Sequence, residues 1–257
     1  LKGAPFLFDL AGTATLVTGA NAGIGLAMAR GLVRAGADVV IWGRDRSRNA
    51  RAESELRDLG PGKVGSFACD VASEAEIAIT MQATVAFLGG LDCCFANAGR
   101  GGSGRGLANM EPEGWDAVQA VNARGVAMTY KHASRQMIAQ GSGGKLVATS
   151  SGQSIMGVNR SADYAASKAA VNGFTRAAAF ELARHRITAN ALLFGYYETD
   201  LTAAADPRFA EWILRRIPLR RSGDLAGVEG LAVFFASPFS DYITGQCLPV
   251  DGGLCIS

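Results

Sequence analysis

Short apolar runs alternate with longer amphipathic ones along nearly the whole chain, and that alternation leaves few architectures open. Segments 13–17, 38–42, 64–68, 91–96, 145–149, 187–193 and 246–250 read as strands. Between them, 24–35, 47–59, 74–87, 113–139, 162–184 and 224–236 carry helical spacing. Gly36 and Gly60 are placed to stop two of these helices, and Ser73 to cap the start of the third. Strands that alternate with helices must run parallel, because each return to the same edge needs a crossover. The expected fold is therefore α/β: a single-domain, doubly wound parallel sheet, Rossmann-like, with helices on both faces. The 257 residues suit one large domain spanning 1–257, and no linker, repeat or low-complexity stretch divides them. The glycine-rich patch 100–106 is too short to be more than a loop. Ligands of such sheets bind beyond the carboxyl ends of the strands, so chemistry is to be sought just after each strand.

Composition excludes several classes. With 25 Lys+Arg against 23 Asp+Glu the formal charge is +2, too small for a broad nucleic-acid footprint. The five cysteines (69, 93, 94, 247, 255) sit mostly in apolar contexts and read as free thiols of a reducing compartment. Two distant histidines, His132 and His185, and the cysteine spacing match no metal site. Residues 10–29 are uncharged, but four glycines, Asn21 and three threonines interrupt them, so strand, loop and helix are expected rather than a membrane span or a secretory signal. A soluble, cytoplasmic protein is the expectation. The chain opens on Leu1, so its native start is expected to lie upstream.

The first strand runs straight into Thr18-Gly19-Ala20-Asn21-Ala22-Gly23-Ile24-Gly25 and then a helix. Glycines there admit a pyrophosphate close to backbone amides at a helix N-terminus. The G-x-x-x-G-x-G spacing differs from G-x-G-x-x-G, but the strand–turn–helix context points to a dinucleotide. The second strand ends Trp42-Gly43-Arg44-Asp45, where the adenosine ribose is read. An acid at that tip would bond both ribose hydroxyls. Gly43 stands there instead, and Arg44 can clasp a 2′-phosphate, with Arg46 and Arg48 adding to the field. This favours NADP(H) over NAD(H). The competing reading has Asp45 turned towards a 2′-hydroxyl.

Tyr164 and Lys168, four apart on a helix, project from one face. An ammonium beside a phenol favours phenolate, so the Tyr164 pKa is expected below its ordinary value of about 10. Such a pair suits proton exchange with an alcohol oxygen while hydride moves on carbon. Ser151, just after the strand at 145–149, can meet Tyr164 at the strand tip.

With these residues the sequence resembles the short-chain dehydrogenases/reductases, over essentially the whole chain from Thr18 to Val250-Asp251-Gly252-Gly253. The resemblance implies Tyr164 as general acid/base, Lys168 as its pKa modulator and ribose ligand, and Ser151 as the group that orients the substrate carbonyl. It implies Asn122, in Val121-Asn122-Ala123, as holder of a relay water. The cofactor is implied to lie against Gly19, Asn21, Gly23, Ile24, Gly25, Arg44, Asp70, Val71, Asn97, Ala98, Gly99, Tyr164, Lys168, Gly195, Tyr197 and Thr199. Of these, Asp70-Val71 matches the adenine-contacting pair and Thr199 the residue expected to bond the carboxamide. No metal is implied.

Two positions depart from the family pattern. Ala96-Asn97-Ala98-Gly99 stands for Asn-Asn-Ala-Gly, and Phe194-Gly195 for Pro-Gly. The second change is expected to loosen the turn or to place a ring near the cofactor. Substrate choice is expected in 152–159, 100–106 and 196–218, the last containing an amphipathic lid helix from Phe209 to Pro218. Residues 209–224 are similar to those of sugar-acid dehydrogenases acting on gluconate-like substrates. Arg160 or Arg105 can pair with a carboxylate. 3-Oxoacyl-thioester reductases and reductases of steroids or other hydrophobic ketones are the alternatives, and a non-catalytic nucleotide sensor is the rival from another class. The partner is a small carbonyl or alcohol substrate. The family resemblance also implies a homotetramer built on the helices at 113–139 and 162–184.

Overall fold

The computed structural model describes residues 8–203 and 207–256. In chain order its elements are β1 (Ala14–Thr18), α1 (Gly23–Arg34), β2 (Asp38–Gly43), α2 (Arg46–Arg57), β3 (Val64–Ala68), α3 (Glu74–Leu88), β4 (Cys93–Ala96), α4 (Pro112–Gln119), α5 (Gly125–Gln140), β5 (Gly144–Ser151), α6 (Ala162–Leu182), β6 (Ile187–Phe194), α7 (Asp200–Ala203), α8 (Pro207–Arg216), α9 (Leu225–Ala236) and β7 (Cys247–Val250). The seven strands form one sheet in the order β3-β2-β1-β4-β5-β6-β7, every neighbouring pair parallel. The order turns back between β1 and β4, which is where such a sheet opens a crevice at its carboxyl edge.

Strand alternation feeds two cores, one on each face. Leu16, Val40, Trp42, Cys94 and Leu146 point to one face, under α3, α5 and α6. Val17, Val39, Ile41, Phe95 and Val147 point to the other, under α1 and α9. Trp42 is fully buried, and its indole N–H donates to the Thr84 hydroxyl of α3 at 2.9 Å, so its one polar atom is satisfied.

The caps explain where helices start. Ser73 accepts from the Glu76 amide, and Asp45 accepts from the amides of Ser47 and Arg48. Gly36 takes the left-handed conformation that ends α1. Gly60 lies beyond the end of α2, pressed against the Val33 carbonyl, where a Cβ would come within 2.2 Å. The single helix expected over 113–139 is instead two, joined by a π-helical turn at Ala120–Arg124. An extra residue in one turn rotates the helix face, and here it turns the Asn122 side chain inward. Among the described residues no helix is long and apolar enough to cross a membrane.

Trp42→Ala would empty the largest buried site of the core, and should lower the free energy of unfolding by about 3–5 kcal/mol. Thr84→Val, which leaves the indole N–H without an acceptor, should cost about 1–3 kcal/mol. Urea denaturation of both variants checks the order, and equal losses would contradict it.

Candidate active site

The carboxyl edges of the strands open onto a crevice of about 790 Å³, within the range of ligand sites. Its floor is the turn after β1. Gly19 is left-handed (φ +64°), and a Cβ there would lie 2.7 Å from the Cα of Ala98. A Cβ on Gly25 would fall 2.4 Å from both the Asn97 amide and the Gly19 carbonyl. The turn is pinned from β4. The Thr18 hydroxyl accepts from the amides of Asn97 (3.0 Å) and Ala98 (2.9 Å). Asn97 returns its side-chain NH2 to the carbonyls of Thr18 (3.0 Å) and Gly19 (3.2 Å), and its Oδ1 accepts from Thr149 Oγ1 on β5 (3.0 Å). Asn97 thus braces the crevice with its side chain, and Thr18 is its equal partner. Sequence reasoning passed over Thr18 because a threonine ending a strand is unremarked by any spacing rule.

A second knot sets the adenosine end. Asn21 donates to Asn49 Oδ1 at 2.7 Å, and Asn49 donates to the carbonyls of Gly43 (2.9 Å) and Phe67 (3.1 Å). A Cβ on Gly43 would lie 2.4 Å from both asparagine side chains, so no acidic side chain fits at that strand tip. Asn49 was likewise missed by the motif reading. Arg44 is exposed on the crevice lining beside Asp45. One oxygen of Asp45 is engaged in capping α2, and its hydrogen bonds to Arg48 N and Ser47 hold the carboxyl below its ordinary value. Arg48 lines the crevice but is ion-paired with Asp200, whereas Arg46 does not line it. Asp70 and Val71 line the same end, and Asp70 Oδ1 also accepts from the Ala72 amide. The glycine cradle, the exposed Arg44 and these strand tips fit a dinucleotide.

At the other end α6 delivers its side chains against β5. Tyr164, Lys168 and Ser151 all line the crevice. The Lys168 Nζ donates to the Thr149 carbonyl at 2.8 Å and lies 5.8 Å from the centroid of the Tyr164 ring. Ser151 hydrogen-bonds the Tyr164 phenol and accepts from the Gln153 amide at 3.2 Å. Burial pushes the phenol above its ordinary value, with the Ser151 bond pulling the other way. Burial pulls the Lys168 ammonium down to about 8. This differs from the expected downward shift of the phenol. Desolvation therefore sets the direction of the phenol's shift at this separation.

Asn122 does not reach the crevice. Its side chain is fully buried, accepting from the Arg100 amide (2.8 Å) and donating to the Arg100 carbonyl (3.0 Å) and Ser167 Oγ (3.1 Å). The side-chain amide is thereby committed to Arg100 and Ser167 rather than to the crevice. Phe194 is buried and borders the crevice, and it packs edge-to-face on Tyr197 with centroids 5.4 Å apart. Tyr197 itself is braced, its ring over Gly223 and its hydroxyl directed at the Val250 carbonyl. Gly195 closes on Asp251, and Thr199 packs its methyl 3.3 Å from the Cβ position of Gly23, over the glycine turn. Arg105 and Arg160 do not line this crevice. Arg105 pairs with Glu111, Arg160 donates to the Gly104 carbonyl, and both border a separate depression. The helix expected from Phe209 to Pro218 runs from Pro207 to Arg216, and Ile213 and Ile217 pack on Leu254 while Trp212 stays half-exposed. The Phe209 side chain lies outside the described residues.

The family model described as enoyl-(acyl carrier protein) reductase matches residues 19–255. The chain is 35% identical over 255 residues to gluconate 5-dehydrogenase of Gluconobacter oxydans, covering 98% of each. It is 36% identical over 247 residues to a 3-oxoacyl-[acyl-carrier-protein] reductase of Thermotoga maritima, covering 96% of this chain and 99% of that one. Among solved structures it superposes with a TM-score of 0.91, at 38% identity and covering 97% and 98%, on a gluconate 5-dehydrogenase from Burkholderia cenocepacia in complex with NADP and tartrate. The chain belongs to the short-chain dehydrogenase/reductase family and is an NAD(P)-dependent oxidoreductase.

Gly19→Ala tests the cradle. It forces a side chain onto Ala98 from a left-handed backbone, so nicotinamide-nucleotide affinity should fall by at least about tenfold. Fluorescence titration with NADPH measures it, and wild-type affinity in a folded variant would contradict the assignment.

Proposed function

We propose that this short-chain dehydrogenase/reductase moves hydride between NADP(H) and the ketone or secondary alcohol of a sugar acid or polyol. The observation that carries the reading is the meeting of Ser151, Tyr164 and Lys168 at one end of a crevice whose other end is a side-chain-free cradle beside Arg44. When bound, the nicotinamide supplies or accepts the hydride. In reduction, Ser151 donates to the carbonyl oxygen and Tyr164 passes it the phenolic proton; in oxidation the phenolate takes that proton back. Lys168 holds the ribose and, while charged, favours the phenolate. Asn122 acts through the segment it holds.

NADP(H) is favoured because Gly43 leaves no room for a ribose-binding acid and Arg44, exposed at the tip, makes no ion pair among the described residues. Relatives that reduce 3-oxoacyl thioesters are as similar in sequence as the gluconate dehydrogenases, and such a thioester is the second reading. Segment 196–218 serves as the substrate lid through Ile213, apart from residues 204–206, which lie outside the described residues. The exposed Phe180, Phe174 and Ile138 on α5 and α6 suit the faces of a homotetramer. The buried free thiols of Cys69, Cys93 and Cys94 suit the cytoplasm.

Tyr164→Phe should lower turnover by about 10²- to 10⁴-fold while NADPH binding holds. Carbonyl reduction should stay level through neutral pH, because burial keeps the phenol protonated, and alcohol oxidation should climb as pH rises. Lys168→Ala removes the ammonium and should displace the oxidation limb to higher pH; an unmoved limb would show that Lys168 does not tune the phenol. Arg44→Ala should weaken NADPH binding and leave NADH binding nearly unchanged. Equal losses would remove the phosphate clasp. Sedimentation of a monomer at micromolar concentration would remove the tetramer.

A further inference from the structure

The segment from Gly99 to Ser103 is held more firmly than a glycine-rich loop requires. Asn122, fully buried, grips both main-chain groups of Arg100. Three residues on, the Asp163 carboxylate, 2% exposed, accepts from the Ser103 amide at 2.7 Å and from the Tyr164 amide at 2.8 Å. Gln119 of α4 holds the Asp163 carbonyl at 2.9 Å. Burial works against the Asp163 charge, but the Ser103 and Tyr164 hydrogen bonds win and keep the carboxyl below its ordinary value. The segment also touches the reacting pair directly. A Cβ on Gly99 would lie 3.5 Å from Lys168 Nζ, and one on Gly102 would lie 3.1 Å from Tyr164 Cβ and 2.7 Å from Asp163 Oδ1. Arg100 is therefore bracketed between Lys168 and Tyr164, on a backbone that two buried side chains fix.

Arg100 lines the crevice, and its guanidinium forms no ion pair among the described residues. Of the acidic residues of the lining, Asp45 caps α2, Asp70 accepts from the Ala72 amide and Asp200 pairs with Arg48, while Arg100 and Lys168 are the lining cations of the segments that meet Tyr164. Arg100 is exposed on this wall, and a guanidinium fork with no ion pair among the described residues matches a carboxylate in charge and geometry. We propose that Arg100 is the carboxylate-binding residue of the substrate subsite, and that Asp163 and Asn122 are positioning residues that hold it against Tyr164. This rests on the reading of the substrate as a sugar acid and adds which atoms recognise its anionic end. It replaces Arg105 and Arg160, whose side chains face elsewhere.

The test compares D-gluconate with its uncharged amide, as substrates with NADP+ and as inhibitors of a ketone reduction found by turnover screening. In Arg100→Ala the KM or inhibition constant for gluconate should rise about 10- to 100-fold, the worth of one charge-assisted contact, with the amide and the NADPH affinity unchanged. Arg100→Lys should recover part of the loss. Arg105→Ala and Arg160→Ala should leave gluconate binding at the wild-type level. Asp163→Asn should raise the gluconate KM more than it lowers kcat, and a folded Gly102→Ala should do the same. Gluconate that inhibits through Arg100 without being oxidised would keep the anion subsite and end the sugar-acid substrate reading. Unchanged gluconate constants in Arg100→Ala, a parallel loss for gluconate and the amide, or no gluconate binding to the wild type would each overturn the proposal.

Discussion

The side chains of Thr18 and Asn97 tie the tips of β1, β4 and β5 together at the point where strand order turns back, and the rest of the site is hung on that tie. A glycine turn left to itself samples many conformations, since glycine loses more freedom on folding than any other residue. Here the turn is clamped by hydrogen bonds from its neighbour strand, and the absent Cβ atoms of Gly19 and Gly25 let that strand approach to contact distance. The clamp also reaches Thr149, whose carbonyl receives the Lys168 ammonium. The cradle for the dinucleotide and the anchor of the buried lysine thus share one hydrogen-bonded unit.

Electrostatically the catalytic end is a balance between desolvation and pairing. Isolated from water, phenolate and ammonium are both disfavoured, which raises Tyr164 and lowers Lys168 to about 8. The protein compensates with oriented groups rather than counter-charges: the Thr149 carbonyl for the ammonium, the Ser151 hydroxyl for the phenol. The positive charge that the lysine brings is greatest below about pH 8, so its support of the phenolate weakens in the range where oxidation gains from it. The same economy governs Asp163, whose buried charge rests on the main-chain amides of Ser103 and Tyr164.

Strand and helix periods were legible from end to end, because each strand face and each helix stripe buries against a partner and has to be apolar. The spacing of Tyr164 and Lys168, the glycine turn and Ser151 were legible for the same reason: local geometry places them, whatever the rest does. What could not be read were contacts made between distant segments. Asn122 appears in the sequence as one residue of a long helix, and nothing local announces the π turn that swings it onto Arg100. Arg105 and Arg160 look as available for an anion as Arg100 does until the fold sends them to Glu111 and Gly104. The phenol's pKa direction failed because an ammonium four residues away is visible in sequence, whereas the burial of both groups is not.

Phe194 shows how a departure from a family pattern can be absorbed. A proline there would gain about 0.4–1 kcal/mol by restricting the unfolded chain. The edge-to-face pair of Phe194 and Tyr197 contributes about 0.5–1.5 kcal/mol beyond its area, so the exchange comes out near even. The two routes to stiffness differ in what they connect. Proline stiffens only its own turn, whereas the aromatic pair binds the end of β6 to the segment that leads into Thr199 and α7, with Gly223 shaped to receive the Tyr197 ring. Rigidity at this end of the crevice then depends on Tyr197 staying packed, which links that wall to the segment that follows α8. The wall at Arg100 is fixed from the opposite side by α4, α6 and the π turn. Held independently from two sides, the crevice can keep its chemistry constant while either wall changes what it admits.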